Sequence, residues 1–331
     1  MSKTTTNIVR PNSASHWYKV DDKKVTAFHS VPYAGKRGKD GETRKTTLRD
    51  ARKVGAFPSV TNVLSILHKE FLEAYKINQA ILASLTLPRI DGESEDEFAR
   101  RIVGDSKEHA SSAARLGSSI HEYAAKILTG EDPGSLAFEV VEGRNLLSIC
   151  EPMVNVINGL TPAKRKTDKE FSEFYVAHNM GYAGTCDALV WLDTGVKRVQ
   201  EMLNAAGYGY TEGKHQLAVV DIKSRGSEAK KAPIYETDLL QLAAYLNAIP
   251  QTVGLDMDNW NTSKVPVANL LLNTSPNAGE GGVWSSELVI HHKDDVDKAW
   301  EAFTCLHKVW TWMKNYDPLK ETNNNNNKEE A

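Results

Sequence analysis

The segment LAVVDIKS, residues 217–224, is the feature that most restricts how this chain can fold. Its apolar residues predict a strand buried in the middle of a sheet: Leu217, Ala218, Val219, Val220 and Ile222. Asp221 and Lys223 interrupt this run. Because successive side chains of a strand point to opposite faces, Asp221 and Lys223 share one face while Ile222 packs behind them. The sequence therefore predicts a buried strand that presents a carboxylate and an ammonium group side by side.

The composition is that of an ordinary globular protein. The 331 residues suffice for one large domain or two small ones, and 40% of them are apolar. No segment approaches the run of about 18 apolar residues that a membrane span needs, and the N-terminus shows no apolar signal segment. We therefore expect a cytoplasmic protein, in the host cytoplasm if the chain is viral, with no membrane partner.

The cysteines and the charge distribution narrow the classes of function. Cys150, Cys186 and Cys305 are far apart and form no C-x-x-C pair, which argues against a disulfide framework or cysteine-bound zinc. The net charge of -3 argues against a purely electrostatic nucleic-acid binder. Residues 36–53, however, hold eight Lys or Arg against three acids. This segment is either a solvated loop or a contact for a polyanionic substrate.

The order of the predicted elements favours an α/β protein with a mixed central sheet. After a polar N-terminal part with short strands, Pro58 precedes a helical pattern, and Ser94 to Glu97 forms a capping box that opens another helix. Further helices are expected at residues 105–128, 138–158, 236–248 and 294–316. Strands are expected at residues 170–178, 181–192, 216–224, 265–275 and 284–292. The last two strands should form a hairpin.

Two further features belong to this organisation. Gly181 and Gly184 are expected to mark the turn or bulge between the first two strands, and a polar insert spans residues 194–215. The closing helix carries three tryptophans, which favour core and rim packing over a platform for stacked bases.

Three successive predicted strands each carry a carboxylate. Glu173, Asp187 and Asp221 lie on successive strands, so their side chains converge if these strands pair. Several oxygen donors without a nearby cysteine pair suit a hard divalent cation, Mg²⁺ or Mn²⁺. Lys223 beside such an ion would hold or help to deprotonate a bound water. Glu170 is close enough to replace Glu173, and the structural alternative is an ordinary ion pair at a sheet edge.

These elements together resemble the PD-(D/E)XK nuclease superfamily. GTCDALV followed by VVDIKS is similar to its acid and D-x-K elements, and Cys186 stands where the motif name has proline. LGSSIHEYA resembles the Gly-x-x-x-His element of RecB-type exonucleases, and QLAAY resembles their Gln-x-x-x-Tyr element. PSVTNVL is similar to segments of the phage and mitochondrial-genome-maintenance exonuclease branch. The resemblance spans about residues 57–315 and lacks the four-cysteine iron–sulfur clamp of some RecB-type nucleases.

The resemblance implies a restriction-endonuclease-like fold, a mixed central sheet flanked by helices with a helical N-terminal part. The expected domain organisation is a polar, basic extension with short strands at residues 1–56 and a nuclease domain at residues 57–317. The low-complexity tail at residues 318–331 is expected to be disordered.

The resemblance also implies roles for individual residues. The metal ligands would be His121, Asp187, Asp221 and the backbone carbonyl of Ile222. Lys223 would orient or activate the attacking water, Glu173 would assist as a ligand or through a water, and Gln241 and Tyr245 would position Lys223 or the substrate strand. On the residues alone, His121 also fits a buried core histidine, because it lies on the apolar face of its helix.

The expected function is that of a metal-dependent DNA exonuclease of phage-type DNA replication or recombination. The alternatives are a structure-specific endonuclease that uses the same site and a non-catalytic nucleic-acid-binding recombination protein. DNA is the expected partner, together with a single-strand-annealing or single-strand-binding protein. Phosphate contacts are expected from Arg225, Lys36, Arg37, Arg44 and Lys45. The direction of digestion (5′ or 3′), the oligomeric state and the number of metal ions are left open.

Overall fold

A computed structural model describes residues 16–21, 24–33, 42–68, 70–141, 144–163, 171–226, 232–252, 260–275 and 285–321. Over these residues the protein is a mixed α/β protein, as the order of the elements predicts. Within this part of the chain, none of the helices is both long enough and apolar enough to cross a membrane. Lys36, Arg37 and residues 322–331 of the predicted tail lie outside the described residues.

The N-terminal half contains short strands and most of the helices. Its strands are β1 (Trp17–Asp21), β2 (Lys24–Ala27), β3 (Ser30–Pro32), β4 (Thr43–Lys45), β5 (Phe57–Pro58), β6 (Val140–Val141) and β7 (Arg144–Asn145). Its helices are α1 (Leu48–Val54), α2 (Val60–Leu64), α3 (Glu70–Thr86), α4 (Glu95–Thr129) and α5 (Leu146–Ile157). A short 3-10 helix, Gly134–Phe138, lies between α4 and β6.

The C-terminal half contains the central sheet. Its strands are β8 (Leu160–Pro162), β9 (Ser172–His178), β10 (Tyr182–Asp193), β11 (His215–Arg225), β12 (Val267–Asn273) and β13 (Ser285–Ile290). Its helices are α6 (Lys197–Ala205), α7 (Glu236–Ala248) and α8 (Lys293–Lys314). The strand order is β13-β12-β11-β10-β8, and β9 also pairs with β10. The sheet is mixed, because β11 and β12 are parallel and the other neighbours are antiparallel.

Helices cover both faces of this sheet, and each face has its own apolar core. The α7-side core contains Leu242 and Ala243 of α7 with Phe303 of α8. The α4-side core contains Ile120 of α4 and Ile149 of α5. Along β11 the side chains alternate between these cores, with Val219 in the first and Val220 and Ile222 in the second. This alternation directs Asp221 and Lys223 towards α7.

The central sheet divides at Asp187. On the C-terminal side, residues 188–193 of β10 pair with β11. On the N-terminal side, residues 182–186 pair with β9, which follows the opposite edge of β10, while β11 no longer pairs with β10 and continues alongside β12 as far as Arg225. Asp187 is therefore the one residue of β10 between the two described ladders. A cleft between β10 and β11 begins at this point.

The alternation of side chains along β10 also shifts at Asp187. Cys186 and Leu189 both pack into the α7-side core although they are three positions apart, and Ala188 packs into the α4-side core. A regular strand would place Cys186 and Ala188 on the same face. The shift occurs where the pairing with β11 ends, and there the Asp187 side chain accepts a hydrogen bond from the Ile222 amide of β11.

Helix α4 is one long helix, where the sequence predicts two shorter ones. The predicted capping box is present, since the Ser94 hydroxyl accepts from the Glu97 amide and the Glu97 side chain accepts from the Ser94 amide. The helix then continues without a break to Thr129 and ends at Gly130, whose φ of 73° is the left-handed conformation that favours glycine. The separate start expected near Asp105 is wrong, because the helix runs through Gly104, whose cost of about 1 kcal/mol relative to alanine does not end it.

Three other predictions need correction. The helix expected at 138–158 begins only at Leu146, after the β6–β7 hairpin. Gly184 lies inside β10 opposite Val176 and not in a turn, whereas Gly181, with φ 88°, does follow the β9 strand end. The polar insert 194–215 contains α6, whose Leu203 is buried in the α4-side core.

The predicted hairpin of β12 and β13 and the predicted helix α7 are confirmed. The closing helix is confirmed as α8, and its tryptophans differ in exposure: Trp310 is buried, Trp300 is partly buried and Trp312 is exposed. Trp310 belongs to the core together with Trp17 of β1, 6.2 Å away between ring centres. The N-terminal strands thus share a core with α8.

We predict that His178 makes the protein sensitive to acid. His178 is buried, stacks on Tyr182 and makes an edge contact with Trp300. Burial, together with the charge of His307, lowers the pKa of His178 to about 4. Its contribution to stability is therefore complete above the unfolded pKa of about 6.5. It falls as the pH drops from about 6.5 to about 4, because the unfolded chain binds the proton more readily.

The test compares the free energy of unfolding of the wild type and His178→Gln between about pH 7.5 and pH 4. Glutamine does not titrate, and its oxygen can still accept the bond that the Met180 amide donates to His178 Nδ1 at 3.1 Å. We expect the advantage of the wild type over the variant to shrink as the pH falls. A constant difference over this range would show that His178 is not the acid-sensitive group.

Candidate metal centre

Three side chains from three different elements meet where the sheet divides. His121 comes from α4, Glu173 from β9 and Asp187 from β10. One nitrogen or oxygen atom of each lies within 4.8 Å of the others. His121 Nδ1 is 3.4 Å from Asp187 Oδ2 and 3.7 Å from Glu173 Oε1. These three groups are close enough to bind one cation together.

The charges of this cluster favour a cation. Burial on its own would lower the pKa of His121, but the carboxylates of Asp187, Glu173 and Asp221 raise it to about 10. Burial would likewise raise the pKa of Asp187, yet His121 and Lys223 lower it below its ordinary value. The carboxylates thus hold the imidazole in its protonated form. A divalent metal ion at the same place would experience the same attraction.

A second group of side chains adjoins this cluster on β11 and α7. Lys223 Nζ donates to Asp221 Oδ1 at 2.9 Å and lies 2.8 Å from Oδ2. It also donates to Gln241 Oε1 at 3.2 Å, and Gln241 Nε2 donates to the Tyr245 hydroxyl at 3.0 Å. Gln241 and Tyr245 lie four residues apart and therefore on one face of α7. The structure thus places Gln241 where it positions the Lys223 ammonium group.

Burial and mutual charge determine the ionisation of the Asp221–Lys223 pair. Burial, with the charge of Asp187, raises the pKa of Asp221 to about 6 against the opposing effect of Lys223. Burial alone would lower the pKa of Lys223, but Asp221 and Asp187 raise it. Lys223 is therefore positively charged at neutral pH. Burial raises the pKa of Tyr245 well above its usual range, so its hydroxyl keeps its proton.

Glu173 stands out by its backbone and its exposure. Its φ is 48°, in the left-handed region that a glutamate rarely adopts. Such strain persists only where the surrounding structure imposes it, and it is concentrated at functional sites. The exposed fraction of the side chains rises from 1% at Asp221 through 9% at Asp187 and 29% at His121 to 42% at Glu173. The cluster is therefore open to solvent on the Glu173 side.

The donor set fits the predicted kind of metal ion. It consists of one imidazole nitrogen and carboxylate oxygens, which suit Mg²⁺ or Mn²⁺ better than a thiolate-seeking metal. Cys186 is adjacent in sequence, but its thiol is buried and burial raises its pKa well above the ordinary value. Cys186 therefore keeps its proton and offers no thiolate.

The observed cluster differs from the predicted ligand set in two respects. Glu173, predicted as an assistant, takes a donor position equal to those of His121 and Asp187. Ile222 contributes its backbone amide, which donates to Asp187 Oδ2 at 2.7 Å. The ligand roles expected for Asp221 and for the Ile222 carbonyl remain predictions.

Two residues that the sequence analysis missed support Asp221. Asn269 of β12 lies opposite Asp221 in the parallel ladder and donates from Nδ2 to Asp221 Oδ2 at 2.8 Å. Asn269 Oδ1 lies 2.7 Å from His291 Nε2. Asn269 is fully buried. An asparagine inside the apolar run VANLLLN is the same kind of signal as Asp221 in its own strand, and it could have identified this residue.

Gly184 is the third residue that the sequence analysis did not assign to the site. A Cβ atom at Gly184 would lie 2.6 Å from Cε1 of Tyr245, well inside the contact distance. Because Gly184 has no side chain, the Tyr245 ring can pack against β10 in the position from which its hydroxyl accepts a hydrogen bond from Gln241. Gly117 of α4, expected to allow close approach of its helix, is less constrained, since its Cβ would meet Ser224 Oγ at 3.5 Å.

The expected phosphate contacts differ in their availability. Arg225 donates to both carboxylate oxygens of Asp238 at 2.7 Å and lies over the Tyr235 ring. Arg44 likewise binds both oxygens of Asp50, at 2.6 and 2.9 Å. A phosphate would have to compete with these two carboxylates. Lys45 is exposed.

Comparisons with known proteins add nothing to this assignment. No family model matches the chain, and no curated protein sequence shows significant similarity to it. The interpretation of the site consequently depends on its geometry and chemistry.

We predict that Gly184→Ala disturbs both the fold and the Lys223 side chain. The added methyl group forces the Tyr245 ring away from its place, and overpacking of this kind costs about 1–3 kcal/mol in the free energy of unfolding. Denaturant unfolding measures this cost. The matched control is Gly117→Ala, where the methyl group has room and alanine favours the helix. We expect that control to be as stable as the wild type or more stable, so equal destabilisation of both variants would contradict the predicted clash.

Proposed function

We propose that this protein is a metal-dependent deoxyribonuclease, specifically an exonuclease, built on a restriction-endonuclease-like fold. The observation that carries the proposal is the position of Lys223. Its ammonium group contacts Asp221 at the edge of the cleft in which His121, Glu173 and Asp187 converge. A positive group beside a carboxylate-rich cation site suits the cleavage of a phosphodiester, because both the nucleophile and the phosphoryl oxygens carry negative charge in the reaction.

In this proposal, one group of side chains holds a cation and a second group places the nucleophile. His121, Glu173 and Asp187 would hold Mg²⁺ or Mn²⁺, with Asp221 as a further candidate ligand. A bound metal ion of this kind polarises a phosphoryl oxygen and lowers the pKa of a coordinated water. Because Lys223 is charged, its role is to orient the attacking water and to stabilise developing negative charge. Gln241, fixed by Tyr245, keeps the Lys223 ammonium group pointed at the cleft.

The fold supports this function without specifying the cellular process. Its mixed sheet places the acidic residues on neighbouring strands and its helices supply His121 and Gln241 from opposite faces. The phage-type replication or recombination role belongs to the proposal, as does a single-strand-annealing or single-strand-binding partner. Both follow from the sequence resemblance alone.

The first test of the proposed function concerns the substrate. End-labelled linear DNA and covalently closed circular DNA are incubated with Mg²⁺, Mn²⁺ or EDTA. We expect metal-dependent loss of the linear DNA only, and we expect Asp221→Asn to abolish it because the variant removes a buried negative charge next to Lys223. The matched control is Asp193→Asn, an exposed aspartate at the other end of β10.

Each other result has a definite meaning. Cutting of the circular DNA would replace the exonuclease by a structure-specific endonuclease with the same site. Loss of neither DNA with either metal, from protein whose thermal unfolding is normal, would reject the nuclease and favour a nucleic-acid-binding protein. Equal activity of wild type and Asp221→Asn would remove Asp221 from the site.

The second test of the proposed function isolates the Lys223 ammonium group. Lys223→Ala should lower kcat by roughly 10²-fold or more if Lys223 orients or activates the nucleophile. The control is Lys197→Ala on α6, because the Lys197 side chain is exposed and its ion pair with Glu201 lies on the surface. Normal kcat for Lys223→Ala, at saturating metal and substrate, would assign Lys223 a structural role only.

A further inference from the structure

An exposed tyrosine lies beside the open side of the metal centre. Tyr175 is two residues after Glu173 on β9 and pairs with Thr185, which is two residues before Asp187 on β10. Two residues of a strand span roughly 6.7 Å. Both strands therefore place the Tyr175 ring next to the cluster, on the side where the exposed fraction of the ligands is greatest.

The Tyr175 ring packs against a buried neighbour at one edge. Tyr175 makes an edge contact with Tyr18 of β1, 5.7 Å away between ring centres. Tyr18 is buried, and its hydroxyl forms a hydrogen bond of 2.9 Å with Thr185 Oγ1. Tyr175 nevertheless remains 38% exposed. A large aromatic ring that is fixed at its edge and open to solvent is a suitable platform for stacking.

Two further rings and a cation lie beyond the buried Tyr18. His29 lies 5.1 Å from Tyr18, and His16 stacks on His29 at 4.4 Å between ring centres. Lys45 pairs with Ser30, the residue after His29, and is exposed. We call Tyr175, His29, His16 and Lys45 the aromatic strip. Aromatic rings that alternate with a cation are the means by which proteins bind unpaired nucleotides.

We propose that the aromatic strip is a nucleotide-binding subsite, in which the base next to the scissile phosphate stacks on Tyr175 and a following phosphate reaches Lys45. The proposal rests on the proposed function, because it takes the scissile phosphate to lie at the His121–Glu173–Asp187 cluster. Glu173 has the most exposed side chain of the site, so the strand is taken to approach Asp187 and Asp221 from the Glu173 side. A strand that approaches along β9 passes the Tyr175 ring.

The experiment combines a protein variant with a base deletion. Binding of a fluorescent oligonucleotide is measured by anisotropy in EDTA at low salt, with an abasic residue placed in turn at each terminal position. For the intact oligonucleotide, Tyr175→Leu should weaken binding by about 5- to 100-fold, the effect of losing one stacked base. At one abasic position the wild type should lose the same factor, and Tyr175→Leu should lose nothing more. Such non-additivity identifies the pair that interacts.

Two further variants complete the design. Tyr175→Phe keeps the ring and should bind like the wild type. Tyr75→Leu on α3 removes a tyrosine of matched exposure, 40%, and should also bind like the wild type. Normal thermal unfolding of Tyr175→Leu shows that the fold is retained. Unchanged binding by Tyr175→Leu, or additive effects at every abasic position, would overturn the proposal.

The outcome separates this subsite from the nuclease activity. DNA hydrolysis by the wild type without coupling between Tyr175 and any base would reject the aromatic strip and leave the nuclease in place. Coupling without hydrolysis under any metal would support the aromatic strip as a nucleotide-binding site and reject the nuclease.

Discussion

One hydrogen bond determines the geometry of the site. At the point where β10 and β11 separate, the Ile222 amide donates to the Asp187 carboxylate at 2.7 Å and not to a main-chain carbonyl of β10. A buried amide must have a partner, so Asp187 allows β11 to leave the ladder without the cost of an unsatisfied donor. The two strands can separate because the Asp187 side chain accepts the hydrogen bond that a main-chain carbonyl of β10 would otherwise accept. The same Asp187 oxygen also faces His121, whose Nδ1 lies 3.4 Å away.

The division of the sheet explains how groups from opposite faces meet. His121 is on α4 and Gln241 on α7, and these helices cover different faces of the sheet. An unbroken sheet would separate them by its full thickness. The cleft lets His121 approach Asp187 from one face while Gln241 holds Lys223 from the other. Burial of such charges is costly unless they are paired, and in this site the carboxylates are paired with His121 and Lys223.

The sequence predicts the parts of the site that depend on local pattern. Asp221 and Lys223 in an apolar strand, and Gln241 and Tyr245 at helical spacing, are visible without a structure because strand and helix periods assign their faces. Gly184 is not visible in this way, and Asn269 is visible only as a polar residue in an apolar strand, without its partner. Their importance depends on which segment packs against them, α7 for Gly184 and β11 for Asn269, and such contacts between distant segments have no local signature. The same reason explains the continuous α4, which runs through Gly104 and whose length is decided by packing.

The gradient of exposure across the site connects its chemistry to its substrate. Asp221 and Lys223 are buried deeply enough for their charges to interact strongly, because the surrounding protein screens them less than water does. Glu173 must be reachable, and its strained backbone turns its side chain towards both the ligands and the solvent. A fully buried cluster could not admit a phosphate, and in a fully exposed one water would screen the carboxylate charges that raise the pKa of Lys223 and His121. The strain at Glu173 is therefore best understood as the cost of joining a buried reaction centre to an open surface.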